Sequence, residues 1–249
     1  MELGGLDPPT LLYLGAAALV TAALHSVGGF AGALLMAIAI APVIGVKATV
    51  PIVAAAMIVS HASRAWMFRN AVDWPTFRLI FLPALPFIIA GVIFYVDLPE
   101  TGVALFLGVM LLISLSLRRV LAGREIAVPR SALAGVAMPY GFLSGASFGV
   151  AMMLGPFLLG AGLAGETLIA TVAVNGFLLN VIKTAAFGMS PLLTLDYALI
   201  GAAMGLCTIP GHHLGRWVLK RTPIRIHTLF LEAFIALGAV YFLYKGIAG

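Results

Sequence analysis

Apolar residues run along this chain in blocks of about 20, the reach of a helical bilayer crossing, separated by short polar connections. The blocks predict transmembrane helices over residues 49–68, 76–96, 101–117, 168–187, 195–217 and 228–244. Two further blocks, 11–44 and 132–163, are too long for one helix and short for two full crossings. Small residues interrupt each near its middle: His25-Ser26-Val27-Gly28-Gly29-Phe30-Ala31-Gly32, and Gly141-Phe142-Leu143-Ser144-Gly145-Ala146-Ser147-Phe148-Gly149. Glycine lacks a Cβ, so such a stretch accommodates a tight reversal or an unwound turn.

The blocks also repeat. Arg64, Asp73-Trp74, Pro86, Gly91 and Pro99 in the first half recur as Lys183, Asp196-Tyr197, Pro210, Gly215 and Pro223, at nearly constant spacing. Internal duplication of this kind divides the chain into repeats of residues 1–122 and 123–249, within one compact membrane domain.

Composition agrees with lipid as the main solvent: the chain is 62% hydrophobic and 9% charged, with a mean hydropathy of +1.14. The formal charge of +5, from 14 Lys+Arg against 9 Asp+Glu, gathers at segment ends. That placement reports orientation and is not a nucleic-acid footprint. Cys207 is the single cysteine, which excludes an internal disulfide and a cysteine metal cluster; no metal or cofactor is expected. The acidic start, with Glu2 and Asp7, lacks the positive charge of a signal peptide and is read as a mature tail.

Charge then selects the topology. If all of the roughly eight apolar segments crossed once, the basic connections at 118–130 and 216–225 would fall on opposite sides, against the positive-inside rule. If the two interrupted blocks dip in and return, both connections and Arg69 share one face, while the acidic tail and Asp97/Glu100 share the other. The expectation is an all-α membrane protein of two inverted repeats, each a re-entrant broken hairpin plus three transmembrane helices. Its basic face is cytoplasmic and both termini lie outside.

Candidate chemistry follows from the polar residues left inside apolar helices. His61 and Arg64 are three apart, as are Asn180 and Lys183, so each pair shares a helix face. A cation near mid-membrane costs about 2.5–3.5 kcal/mol on insertion scales, so two at matching places point to an anion pathway. The blander alternative is that both lie near helix ends and snorkel to headgroups. Half-helices starting at the two breaks would offer unpaired N–H groups to the same anion. There Gly28 and Gly29 allow close approach, Ser26, Ser144 and Ser147 add hydroxyls, and His25 adds a titratable group. The alternative for the small residues is close helix packing. His212 and His213 after Pro210-Gly211 are candidates for proton relay or gating, or simply for satisfying a kinked backbone. Asn175 reads as a helix-to-helix bond, Lys47 and Glu166 as surface charges, and Asp73-Trp74 and Asp196-Tyr197 as helix starts with an interfacial aromatic.

With these elements in order, the chain resembles the TauE/SafE family of bacterial sulfite and sulfonate exporters. The likeness rests on Gly28-Gly29-Phe30-Ala31-Gly32, then Pro42 to Gly45, then Ala48-Thr49, then Arg69-Asn70-Ala71-Val72-Asp73-Trp74, with the unit repeated. Gly28-Gly29 stands where the family has a triple glycine, and Thr49-Val50 where it often has Thr-Ser. The resemblance implies export of a small sulfur-containing anion, sulfite or an organosulfonate such as sulfoacetate. Two other functions compete: an anion channel, and an intramembrane serine hydrolase using Ser144 with His212 or His213. The expected partners are the small anion and the bilayer, with no nucleic acid; oligomeric state is left open.

Overall fold

The computed structural model describes residues 4–28, 32–121, 127–219, 221 and 224–249. Among them ten α-helices follow in order: α1 (Pro8–Gly28), α2 (Gly32–Ile44), α3 (Val46–Met67), α4 (Trp74–Asp97), α5 (Glu100–Leu121), α6 (Leu133–Ala146), α7 (Ala151–Gly160), α8 (Gly165–Gly188), α9 (Leu195–Leu219) and α10 (Ile224–Ala248). Five are long and apolar enough to cross a membrane: α3, α4, α8, and the stretches Glu100–Leu117 of α5 and Leu229–Ala248 of α10. The 25-residue α9 fills the remaining predicted block. Prolines 42, 51, 83, 86, 139, 156 and 210 lie inside helices. Neighbouring helices can re-satisfy the backbone groups that such prolines free in a membrane. Leu82, Ile93, Leu112, Leu206, Leu237 and Val240 are exposed on the outer wall, as an apolar solvent requires.

The helix starts follow local chemistry. Asp73 caps α4, its Oδ1 accepting from Thr76 N at 2.9 Å. At the matching start of α9 the acceptor is the Thr194 hydroxyl, which takes Tyr197 N at 3.3 Å. Asp196 stands one position inside, where a negative charge still suits the helix dipole.

Helix directions can be read from residue pairs. A Cβ on Gly141 would meet Ala84 O at 2.5 Å, and one on Gly145 would meet Ile88 O at 2.1 Å, so α6 runs parallel to α4. Gly15 faces Cys207 and Gly211 faces Leu19, so α1 runs parallel to α9. Gly201 and Gly205 face Ile52 and Ala56 in the same sense, joining α9 to α3. Gly108 faces Leu243 while Gly246 faces Leu105, so α5 and α10 are antiparallel. The helices α3 and α8 are antiparallel too: Asp73 N donates to Thr171 Oγ1 at one end, and the Tyr95 and Phe187 rings meet at the other, where the Tyr95 hydroxyl donates to Val46 O. At the α4–α6, α1–α9, α3–α9 and α5–α10 crossings a glycine lies against the neighbouring backbone, the close approach that membrane helices favour.

The two interrupted blocks differ. The second breaks at Ser147–Val150, where Gly149 has φ +71° and a Cβ would strike Leu34 Cβ at 2.7 Å. Gly141 and Gly145 belong to α6 itself and serve packing. With 14 residues, α6 reaches roughly 21 Å. It ends beside Gly91, before α4 is complete, and the 10-residue α7 turns back over roughly 15 Å. In the first block, α1 stays helical through His25, Ser26, Val27 and Gly28, because nothing in that run forbids helix. Helix α2 begins at Gly32, and the part of the expected break at residues 29–31 lies outside the described residues.

Two ends emerge. Arg130 pairs with Asp73 at 3.1 Å, joining the connection after α5 to that after α3. The end of α9, parallel to α3, lies at this same end. Trp66, Trp74 and Trp217 are all exposed here, with Arg69 stacked 4.6 Å over Trp66 and Arg221 3.9 Å over Trp217. At the opposite end Lys47 Nζ donates to Leu98 O at 2.7 Å, and Gly4 lies against Asp196 and Tyr197. Lys47 is thus a half-buried clamp between two corners, correcting its reading as a surface charge, whereas Glu166 is exposed.

Candidate functional site

A cavity of about 60 Å³ sits where α3, α6, α8 and the starts of α2 and α7 converge. By the same measure a single water needs roughly 10–15 Å³, so several waters or one small polyatomic ion would fit. Its wall includes His61, Arg64, Ser144, Ser147, Asn180 and Lys183, six side chains singled out by the sequence, brought together from three helices and the break after α6. Among the described residues lining it there is no Asp or Glu.

Lys183 is 4% exposed and donates through Nζ to the Ser147 carbonyl, at the end of α6. The C-terminal end of a helix carries partial negative charge, so the ammonium rests on a feature of the wall that suits it. An ammonium has three donors, and this bond uses one. Snorkelling does not describe Lys183, whose side chain stays inside the bundle. Arg64 sits in the last turn of α3 and is half-buried. Its Nη2 lies 3.2 Å from His61 Nδ1, and its buried Nε has no hydrogen-bond partner. A guanidinium only donates, so His61 Nδ1 is the acceptor and the neutral ring carries its proton on Nε2.

The other lining groups are held in place. Asn180 donates to Gly176 O at 2.7 Å. Gly176 is also what admits His61, because a Cβ there would lie 2.8 Å from the ring. Asn175 donates to the Tyr140 hydroxyl at 3.1 Å, the helix-to-helix bond expected of it. The Tyr140 hydroxyl also faces Ser144, while His212 bonds with Ser60. The starts of α2 (Gly32, Ala33) and α7 (Val150, Ala151) border the cavity as well, and α7 has no side-chain cap. First-turn N–H groups lack intrahelical partners and give such an end partial positive charge.

The remaining sequence candidates fall elsewhere. His212 bonds through Nε2 with Ser60 Oγ at 3.1 Å, behind His61 and outside the cavity lining. His213 is exposed on the far side of α9 and reaches neither the cavity nor Ser144. Gly28 ends α1; Gly29 and the side chains of His25 and Ser26 lie outside the described residues. Tyr140 was missed, since an aromatic in an apolar run gives no sign of function until Asn175 is seen opposite it.

Below Lys183 the interior is filled. Phe187 and Tyr95, both fully buried, meet edge-to-face at 5.4 Å, and the Tyr95 hydroxyl donates to the carbonyls of Val46 and Lys47. The ammonium of Lys183 stands 6.0 Å from the Phe187 ring centre.

An all-helical bundle with several bilayer-length apolar helices, its outer wall apolar and a cationic cavity inside, is a multi-pass membrane protein with a polar interior site. The family model for the sulfite exporter TauE/SafE matches residues 14–242, and the chain belongs to that family. It is a family of transporters, not enzymes, so this chain is a membrane transporter. No curated protein and no solved structure matches it.

Proposed function

We propose that the protein is a secondary transporter exporting a small sulfur-containing anion, sulfite or an organosulfonate such as sulfoacetate, by alternating access. The observation that carries this reading is the convergence of Arg64 and Lys183, from matching places in the two halves, on one cavity without a carboxylate. Fixed donors in a region sheltered from water favour an anion over its hydration shell. Arg64 Nε, the spare donors of Lys183, Asn180, Ser144 and the start of α7 supply such donors to an oxyanion.

The halves, residues 1–122 and 123–249, act as inverted repeats in this account. The packing supports it: α1 lies on α9 as α6 lies on α4, and the corresponding helices α3/α8 and α5/α10 are antiparallel. The short α6–α7 pair is the re-entrant hairpin of the second half, and α1–α2 its counterpart. The end bearing Arg69, Arg130 and Arg221 is cytoplasmic, with both termini outside, in a bacterial inner membrane. The Tyr95–Phe187 pair closes the route from Lys183 to the outside, and the cavity loads from the Arg64 end. An inside-negative potential then favours export by about 2.3 kcal/mol per charge per 100 mV.

Thermal unfolding of the detergent-purified protein against sulfite, sulfate, thiosulfate, sulfoacetate, taurine and acetate tests the site. A ligand bound only by the folded state raises the midpoint as its concentration exceeds Kd. The expected result is selective stabilisation by sulfite or a sulfonate, lost in Arg64→Gln. Stabilisation by none of them up to millimolar concentrations would remove the anion site.

A further inference from the structure

The wall of the cavity carries more chargeable groups than an anion needs. Around His61 stand Arg64 on its own helix, Lys183 and Asn180 on α8, Tyr140 on α6, and His212 on α9 behind Ser60. His61 itself is 8% exposed. No acidic side chain stands among the described lining residues, so positive charge added there meets no carboxylate in that lining.

The hydrogen bond between Arg64 and His61 ties the two further. With His61 neutral, one guanidinium donor of Arg64 is spent on Nδ1, 3.2 Å away. Nδ1 is also where a second proton must go, because the neutral ring already holds one on Nε2. Protonation there ends the Arg64 bond and turns Nη2 toward the cavity, beside the unpaired Nε. The same event adds a positive charge, which an incoming anion balances.

We propose that the cavity takes up one proton with each anion, on His61 Nδ1, so that anion and proton bind and move together. The inference rests on the reading of the cavity as an anion site. In the step, a solvent proton forms the Nδ1–H bond, the Arg64 Nη2–H···Nδ1 hydrogen bond is lost, and the guanidinium turns its freed donor to the anion. No oxidation or reduction occurs. Linkage makes the effect reciprocal: anion binding favours the proton as much as the proton favours the anion. A single linked proton changes anion affinity by up to about tenfold per pH unit. Its movement with the anion also cancels one negative charge, so transport responds less to membrane potential than free-anion movement would.

Methanesulfonate is the probe, because a sulfonate stays ionised and carries no proton of its own across the working pH range. Its binding to the intact protein is measured calorimetrically at one pH in two buffers of different ionisation enthalpy. The expected result is a difference in apparent enthalpy corresponding to one proton taken up per anion. Affinity should also fall as pH is raised. In His61→Gln, and independently in His61→Asn, whatever binding remains should take up no proton and lose its pH dependence. In His212→Gln the proton count should persist. Binding with equal enthalpies in both buffers overturns the proton linkage and leaves the anion site standing. Undiminished uptake in both His61 variants overturns the assignment to His61. No methanesulfonate binding to the parent protein, together with no stabilisation by sulfite, overturns the anion site and the linkage with it.

Discussion

Replacing Lys183 by methionine separates a functional cation from a structural one. Methionine keeps the length and apolar stem, so little volume is lost and packing changes should cost under about 1.5 kcal/mol. Lys183 is 4% exposed, and its ammonium donates to the Ser147 carbonyl at the end of α6. Two opposing effects follow for stability. The bond to Ser147 is lost, a charged hydrogen bond worth roughly 1.5–3 kcal/mol. The burden of holding a cation in the membrane, about 2.5–3.5 kcal/mol on insertion scales, is relieved. They nearly cancel, so the unfolding midpoint should stay within a few degrees of the parent or rise. Binding has no such compensation. Losing one charge-assisted hydrogen bond to the anion, roughly 1.5–3 kcal/mol, weakens Kd about ten- to a hundredfold. Calorimetry with sulfite gives Kd, and thermal unfolding without ligand gives stability. Parent-like affinity in a folded Lys183→Met would show that the ammonium does not hold the anion, and a collapse of the ligand-free fold would show that its role is structural.

Further outcomes follow from particular contacts. Gly176→Ala places a Cβ 2.8 Å from the His61 ring, forcing it from Arg64; anion binding should weaken while the midpoint falls by an overpacking cost of about 1–3 kcal/mol, checked by calorimetry and thermal unfolding. Gly145→Leu drives a side chain into the Ile88 carbonyl across the α4–α6 crossing and should yield no monodisperse protein on size exclusion. Phe187→Ala empties the interior beneath Lys183, so proteoliposomes should leak small anions that the parent retains. The milder Tyr95→Phe, which removes the bonds to Val46 and Lys47 carbonyls at about 1 kcal/mol, should raise turnover without a leak.

Much of this arrangement was legible in the sequence where physics is local or periodic. Bilayer-length apolar blocks announced the long helices, and the recurrence of Arg64 as Lys183 and of His61 as Asn180 announced both walls of the cavity. The break after Ala146 was visible because serine and glycine cluster there. What stayed hidden depends on contacts between distant residues. Helix α1 continues through His25 to Gly28, since that run neither requires nor forbids helix, and its small residues could not say where the chain turns. Gly141 and Gly145 looked like part of a flexible break, but their lack of a Cβ serves the crossing with Ala84 and Ile88. Lys47 could be recognised as a clamp only once Leu98 was beside it. His213, adjacent to His212 in sequence, points elsewhere because neighbours on a helix diverge by about 100°.

In the proposed transport, Arg64 and Lys183 together carry an anion across the membrane. Efflux of radiolabelled sulfite from proteoliposomes, with an inside-negative potential set by a potassium gradient, tests it most directly. Saturable efflux is expected from vesicles holding the parent protein, and efflux at the protein-free rate when Arg64→Gln and Lys183→Met are combined. Parent-level efflux from the doubly substituted protein, or none above bare lipid from the parent, would contradict it.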